Sequence, residues 1–303
     1  MGHVAILGVF VADTTFNADR LPRIGETVLG HSFTLGPGGK GSNQAVAAGR
    51  AGADVHFIAR IGRDPFGDMA RGVWADAGVT SAVIESEEAT GAAMIFIEAA
   101  TGDNAIIVAP GAAGGITPAD VEARSDVIGG ASVFVTQLEQ PMDAAMRGLQ
   151  IARAGGAATI LNPAPAATLP DGMLALCDYV TPNETEAEAL SGVAVRDLPS
   201  ARAAADTLLA MGVARAVIVT LGAQGVLYHD GDRSVSIPAV SAGPVVETTG
   251  AGDAFNGAFA CALAEGMDPV AAARFGCACA GISVTRPGAA ASMPSRAEID
   301  ALL

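Results

Sequence analysis

Asp253 lies in the segment Glu247-Thr248-Thr249-Gly250-Ala251-Gly252-Asp253-Ala254-Phe255-Asn256-Gly257, directly ahead of the helical run Ala258 to Ala264. The small residues Gly250, Ala251 and Gly252 at a helix start leave backbone N–H groups open to an anion, and the helix dipole favours negative charge there. A transferring phosphate would fit that turn. An aspartate in the same first turn would face the anion and could take a proton from an incoming hydroxyl. The plainer reading is an aspartate that only complements the dipole.

A second block, Gly36-Pro37-Gly38-Gly39-Lys40-Gly41-Ser42-Asn43-Gln44, holds the only lysine of a chain with sixteen arginines, and predicts a helix beginning near Asn43. Gly36, Gly38 and Gly41 satisfy G-x-G-x-x-G. The block does not follow the first strand, however, and no acid closes a second strand at the right distance, so a dinucleotide site and a dehydrogenase are disfavoured. Nor is it a Walker A loop, because Gly41 follows Lys40. Side-chain-free glycines let a polyhydroxylated ligand approach the backbone, while Lys40 and Asn43 offer donors to hydroxyls. The alternative is a glycine turn that only opens a helix.

Thr181-Pro182-Asn183-Glu184-Thr185-Glu186 ends one strand and starts a helix, with Asn183 and Glu186 at capping-box spacing. The same amide and carboxylate at a strand's carboxyl end could hold water on Mg²⁺. Thr220-Leu221-Gly222-Ala223-Gln224-Gly225 closes another strand in a tight turn, beside a nucleotide or simply as a hairpin.

These segments need elements to position them. Val4 to Val9, Val55 to Ile58, Ser132 to Thr136, Ala158 to Leu161, Tyr179 to Thr181 and Ala216 to Thr220 read as buried strands. Asn43 to Ala51, Phe66 to Ala77, Met142 to Ala154 and Ala201 to Met211 read as helices between them. The alternation predicts an α/β fold with a mainly parallel sheet covered on both faces, with ligands at the strands' carboxyl ends. Asp13 to Asn17, Thr27 to Leu35, Ala92 to Glu98 and Ala105 to Ala109 look like strands without following helices. They predict a small separate sheet, a lid inserted at about 13–36 and 91–109 in one domain spanning 1–303.

With 303 residues, half of them hydrophobic, the chain can bury a large core. Its formal net charge of −15 argues against nucleic acid or an anionic membrane as a partner, so phosphate chemistry must be local. Cys177, Cys261, Cys277 and Cys279 form no C-x-x-C pair, which suggests neither a zinc site nor a disulfide framework. With no basic leader before Val4 and no apolar run long enough to span a bilayer, the expectation is a soluble, cytoplasmic protein.

Taken together, the G-G-K-G-x-N-Q-A, N-x-x-E and G-A-G-D blocks, with Gln44 to Arg50, Leu161 to Ala166 and Thr181 to Glu188, resemble the phosphofructokinase-B family of sugar kinases from about Val4 to the C-terminus. The resemblance implies a three-layer sandwich with a β-sheet lid, and ATP-dependent phosphorylation of a pentose primary hydroxyl, D-ribose giving D-ribose 5-phosphate. It implies that Asp13, Gly39, Lys40, Asn43 and Glu139 contact the sugar, that Asp253 is the base, and that Gly250, Ala251 and Gly252 cradle the phosphate. Asn183 and Glu186 would act around Mg²⁺ and the phosphates, with Thr220, Gly222, Gly225, Gly252 and Cys277 lining the ATP site. A monovalent cation, usually K⁺, would be held by Glu247, Thr249, Ser283, Arg286, Gly288 and Ser292, mostly through backbone oxygens. A homodimer through the lid sheet is implied as well.

Two positions depart from the family. Val11 stands where an asparagine that hydrogen-bonds the sugar is usual, and Glu247 where an aspartate is commoner. Val11 keeps open a kinase for another sugar or a nucleoside. A non-catalytic sugar- or nucleotide-binding regulator is the rival outside enzymes, although binding alone needs no base.

Overall fold

In the computed structural model, which describes residues 2–303, the first strand Val4–Leu7 is buried on both faces. Its residues alternate between two cores: Val4 and Ile6 pack with Val46, Phe57, Trp74 and Phe259 on one side of the sheet, Ala5 and Leu7 with Phe134 and Leu149 on the other. A strand covered on both faces carries no polar alternation, which is why the run reads as uniformly apolar.

Nine strands form the large sheet, in the order Ser234–Ile237, Val226–His229, Ala216–Thr220, Tyr179–Val180, Ala158–Leu161, Val133–Thr136, Val4–Leu7, Val55–Ile58, Val79–Ser81. From Ala216–Thr220 to Val79–Ser81 all neighbours are parallel; the last two pairings at the other edge are antiparallel hairpins. The chain winds from Val4–Leu7 toward one edge, then crosses back through Val133–Thr136 to the other side. A switch point therefore opens at the carboxyl ends of these two strands, where ligands of open α/β sheets bind. Gly8 and Gln137 are the residues that follow them.

The small sheet is built from Ser32–Gly38, Val11–Ala18, Thr90–Glu98 and Asn104–Gly111. Thr27 to His31, expected to be strand, is not, because Val11–Ala18 pairs Asn17 with Ser32 and ends at Ala18, leaving earlier residues no ladder. Gly36 and Gly38 belong to a strand rather than a loop, and the next helix starts at Lys40, three residues before the expected Asn43. Gly39, at φ 89, makes the strand-to-helix turn alone, and a Cβ there would lie 2.5 Å from the Val9 carbonyl oxygen.

The Lys40–Arg50 and Ala251–Ala264 helices cross closely because both are rich in alanine and glycine at the contact. A Cβ on Gly257 would sit 2.4 Å from the Gln44 carbonyl oxygen and 2.6 Å from Ala47 Cβ. Gly257→Ala should thus cost about 1–3 kcal/mol of stability and lower turnover by pushing the helices apart. Gly72→Ala, whose Cβ would meet nothing within 4 Å, should instead stabilise by about 0.5–1 kcal/mol. Urea unfolding midpoints of the two variants check this pair.

Candidate active site

Because Gly257 lets the two helices touch, the amide side chains of the first approach the carboxylate of the second. Asn43 Nδ2 donates to Asp253 Oδ2 at 3.0 Å and Gln44 Nε2 to Asp253 Oδ1 at 3.0 Å. Asp253 is only 7% exposed. Burial raises its pKa above the ordinary carboxylate range, while the Lys40 charge and the two amide donors oppose that rise. Buried it is, though not against hydrocarbon: it lines a polar cavity of about 180 Å³ with Lys40, Asn183, Glu186 and Thr220.

Gly250, at φ 78, caps the Ala251–Ala264 helix, and a Cβ on it would lie 2.9 Å from Ala289 Cβ. Of the three residues expected to cradle the phosphate, Ala251 donates its N–H to the Thr248 carbonyl at 3.1 Å, while the N–H groups of Gly250 and Gly252, like that of Asp253, have no acceptor among the described residues.

Asp13 and Glu139 reach the glycine block from different elements. A Cβ on Gly38 would fall 2.3 Å from Asp13 Oδ2, so only glycine leaves room for that carboxylate. Glu139 Oε2 accepts from the Lys40 backbone N–H at 2.8 Å, bonding the amino end of the helix. Burial drives Glu139 up to about 7 despite that bond and the Lys40 charge, and drives Asp13 up to about 6. Burial thus favours the protonated form of both groups, and hydrogen bonds donated by ligand hydroxyls would favour the ionised form instead.

Asn183 and Glu186 form a full capping box: Glu186 Oε2 accepts from the Asn183 N–H at 2.9 Å, and Asn183 Oδ1 accepts from the Glu186 N–H at 2.8 Å. Both also line the polar cavity, so the capping box stands beside space open to a ligand. Burial raises the pKa of Glu186. Thr220, bridged to Asn183, opens the turn Gly222–Gln224 between two antiparallel strands.

A second cavity, of about 430 Å³ and walled by Val226, Val240, Val245 and Ala280, takes in Thr220, Gly222, Gly225 and Cys277. It shares Thr220, Thr248, Ala251 and Gly252 with the polar cavity. A largely apolar cavity thus opens beside the N-terminus of the Ala251–Ala264 helix, next to the polar cavity that holds Lys40.

The side chains of Glu247, Ser283, Arg286 and Ser292, expected around a monovalent cation, have their own partners. Glu247 Oε2 accepts from the Gly288 N–H at 2.8 Å, tying those two together. Arg286 turns away to pair with Glu298, and the hydroxyls of Ser283 and Ser292 donate to the carbonyls of Ala280 and Ala289. Thr249 is exposed. Backbone oxygens are what these segments can offer a cation.

Reasoning from the sequence assigns no role to Gln44, Asn162, Gln137, Thr181 and Asn256, which are buried and bonded to one another around Asp253. The signal available was their polarity inside otherwise apolar runs, as in Gln44-Ala45-Val46-Ala47-Ala48.

Residues 1–296 match the model of the pfkB family carbohydrate kinases. The chain is 40% identical over 297 residues to a ribokinase of Haemophilus influenzae, covering 97% of this chain and 96% of that one. It is 34% identical over 295 residues to a deoxyribokinase of Salmonella typhi, covering 96% and 95%. Its fold superposes with a TM-score of 0.90 on the ribokinase of Thermotoga maritima, at 34% identity over 100% and 99% of the two chains. With an Arabidopsis thaliana ribokinase complexed with ribose and ATP the TM-score is 0.91, at 29% identity over 99% and 98%.

Proposed function

The chain belongs to the pfkB family of carbohydrate kinases, and from that premise we propose that it transfers the γ-phosphate of ATP to the primary hydroxyl of D-ribose, yielding D-ribose 5-phosphate, ADP and a proton. The observation that carries this is the position of Asp253: one carboxylate in the first turn of a helix, next to free amides, in a polar cavity that holds the only lysine and adjoins a larger apolar one.

Asp13, Glu139 and Asn43 bind the sugar hydroxyls, with Gly39 giving close approach and Lys40 supplying positive charge. The turn Gly222–Gln224, Gly225 and Cys277 face the adenine slot. Asp253 accepts the hydroxyl proton as the oxygen attacks in line, and the Gly252 and Asp253 amides stabilise charge on the phosphoryl oxygens. Asn183 and Glu186 line the polar cavity with an amide oxygen and a carboxylate, oxygen ligands of the kind that suit Mg²⁺ through water. When bound, Mg²⁺ would neutralise charge on the nucleotide phosphates. K⁺ would be held by backbone oxygens near Glu247 and Gly288. The small sheet acts as a lid that excludes water.

Formation of ADP with D-ribose, 2-deoxyribose, other pentoses and nucleosides, with and without K⁺, tests this reading. D-ribose should give the highest kcat/KM, and K⁺ should raise turnover. Val11, apolar and only 8% exposed at the start of the lid strand that carries Asp13, favours 2-deoxyribose as the second candidate. A higher kcat/KM for 2-deoxyribose would move the assignment to that sugar, and tight ATP binding without turnover of any acceptor would point to a regulator.

No helix among the described residues is long and apolar enough to cross a membrane, and a cytoplasmic location fits a kinase using ATP. The lid sheet leaves Phe16, Phe33, Leu35 and Ile107 exposed on one face and Ile106 and Val108 on the other, and the first is an apolar face that a second copy would cover. Ile107→Asp should convert a dimer to a monomer in sedimentation; a wild-type monomer at micromolar concentration would rule the dimer out.

A further inference from the structure

Gln44 has no exposed surface, and all three of its side-chain hydrogen bonds point at the catalytic machinery or its supports. Its Nε2 donates to Asp253 Oδ1 at 3.0 Å and to Asn162 Oδ1 at 3.1 Å; its Oε1 accepts from Gln137 Nε2 at 2.6 Å. The orientation of this amide is dictated from outside. Asn162 Nδ2 donates to the Thr181 backbone carbonyl at 3.1 Å, which turns Asn162 Oδ1 toward Gln44. A carboxylate oxygen and an amide oxygen both face the same end of Gln44, so that end must be the NH₂. Its oxygen is left for Gln137, the residue that follows the Val133–Thr136 strand at the switch point.

Gln137 is itself held in place. Gln140 Nε2 donates to its backbone carbonyl at 2.7 Å, and its Oε1 lies over the seam where Gly8 and Gly41 meet. A Cβ on either glycine would come within 2.5 Å or 2.8 Å of that oxygen. The chain Gln137–Gln44–Asp253 therefore runs from the floor of the switch point to the base.

We infer that Gln44 is a positioning residue: anchored by Asn162 and Gln137, it fixes the orientation of the Asp253 carboxylate for proton transfer. Asn43 alone, whose Oδ1 has no partner among the described residues, would leave the carboxylate free to rotate about a single bond to Oδ2. This role rests on the kinase reading above and concerns residues to which that reading assigns no function.

The test uses the full-length protein with D-ribose and ATP. Gln44→Met, of similar volume but without a donor, should lower kcat by about ten- to a hundredfold, the worth of one hydrogen bond to a charged group. KM for ribose and for ATP should stay within about threefold, since no substrate contact is removed. The acid limb of kcat/KM should move to higher pH, because the lost donor favoured the ionised carboxylate. Lys40, Glu139 and Glu186 also face Asp253, so the shift is read as the difference between variant and wild type.

The decisive arm is a double-mutant cycle. In an Asp253→Asn background, Gln44→Met should cost less than about twofold, because a residue acting through Asp253 has nothing left to position. An equal fractional loss in both backgrounds, or a rise in KM with kcat unchanged, overturns the role. Should Gln44→Met fail to fold, Gln137→Met, one bond further from the base, must show the same pattern with a smaller loss, and an unchanged kcat there overturns it equally. A wild-type protein that consumes no ATP with any sugar would instead sink the kinase reading, a result distinct from an active wild type with an indifferent Gln44.

Discussion

Asp253→Asn lowers turnover by about 10²–10⁴-fold, the contribution of a positioned general base, while leaving the fold and the nucleotide slot intact. The variant is nearly isosteric, and the site can absorb the new amide. Asn43 Oδ1 is buried without a partner among the described residues, so rotation of the Asn43 amide offers an acceptor to the new NH₂ group. Protein stability and ATP affinity should then change little, and the loss should fall on kcat. The pH dependence has a fixed sign. Asp253 works as a base only when ionised, so wild-type turnover falls as pH drops through its raised pKa. Steady-state kinetics with D-ribose check both points; a variant that keeps more than about a tenth of wild-type kcat would remove Asp253 from the role of base.

Glu139→Gln flattens the acid side of the stability profile. Glu139 is driven from an ordinary 4.5 up to about 7 by burial, with the Lys40 N–H and charge opposing, so the folded protein holds its proton where the unfolded chain releases it. The stability this contributes is fully present below about pH 4.5 and is lost as pH rises through about 7. A shift of that size corresponds to on the order of 3 kcal/mol across the window. Glutamine cannot titrate. The stability difference between wild type and variant should therefore shrink from pH 4.5 to pH 7.5 and then stay constant, as read by denaturant unfolding at a series of pH values. A difference that grows with pH would mean that the carboxylate is stabilised as an anion, contrary to its burial. Asp13, pushed up to about 6 by burial, adds a pH slope of the same sign, which remains in the variant.

Much of this molecule is legible residue by residue. Strands buried on both faces read as apolar runs, Asn183 and Glu186 announce their capping box three residues apart, and the glycine ahead of Lys40 marks a sharp turn. Those features depend on neighbours within a few positions, and local stereochemistry settles them. The family blocks extend that reach, since they carry Asp253, Lys40 and Glu186 into the same site.

Tertiary structure alone decided the rest. Asp253 receives its hydrogen bonds from residues 209 and 210 positions away, and Glu139 meets the Lys40 amide across 99. Those meetings depend on the sheet's strand order and on the closeness of one helix crossing, set by Gly257 against Ala47. The small sheet's first edge strand begins at Ser32 and not at Thr27 because its partner ends, a fact about pairing rather than about the segment itself. By itself the sequence determined which groups could do chemistry and in which kind of element each would stand. Which of them meet in one cavity, and the bond of Gln44 to Asp253 there, were fixed by long-range packing, because a polar side chain in an apolar helix looks the same whichever distant residue it meets.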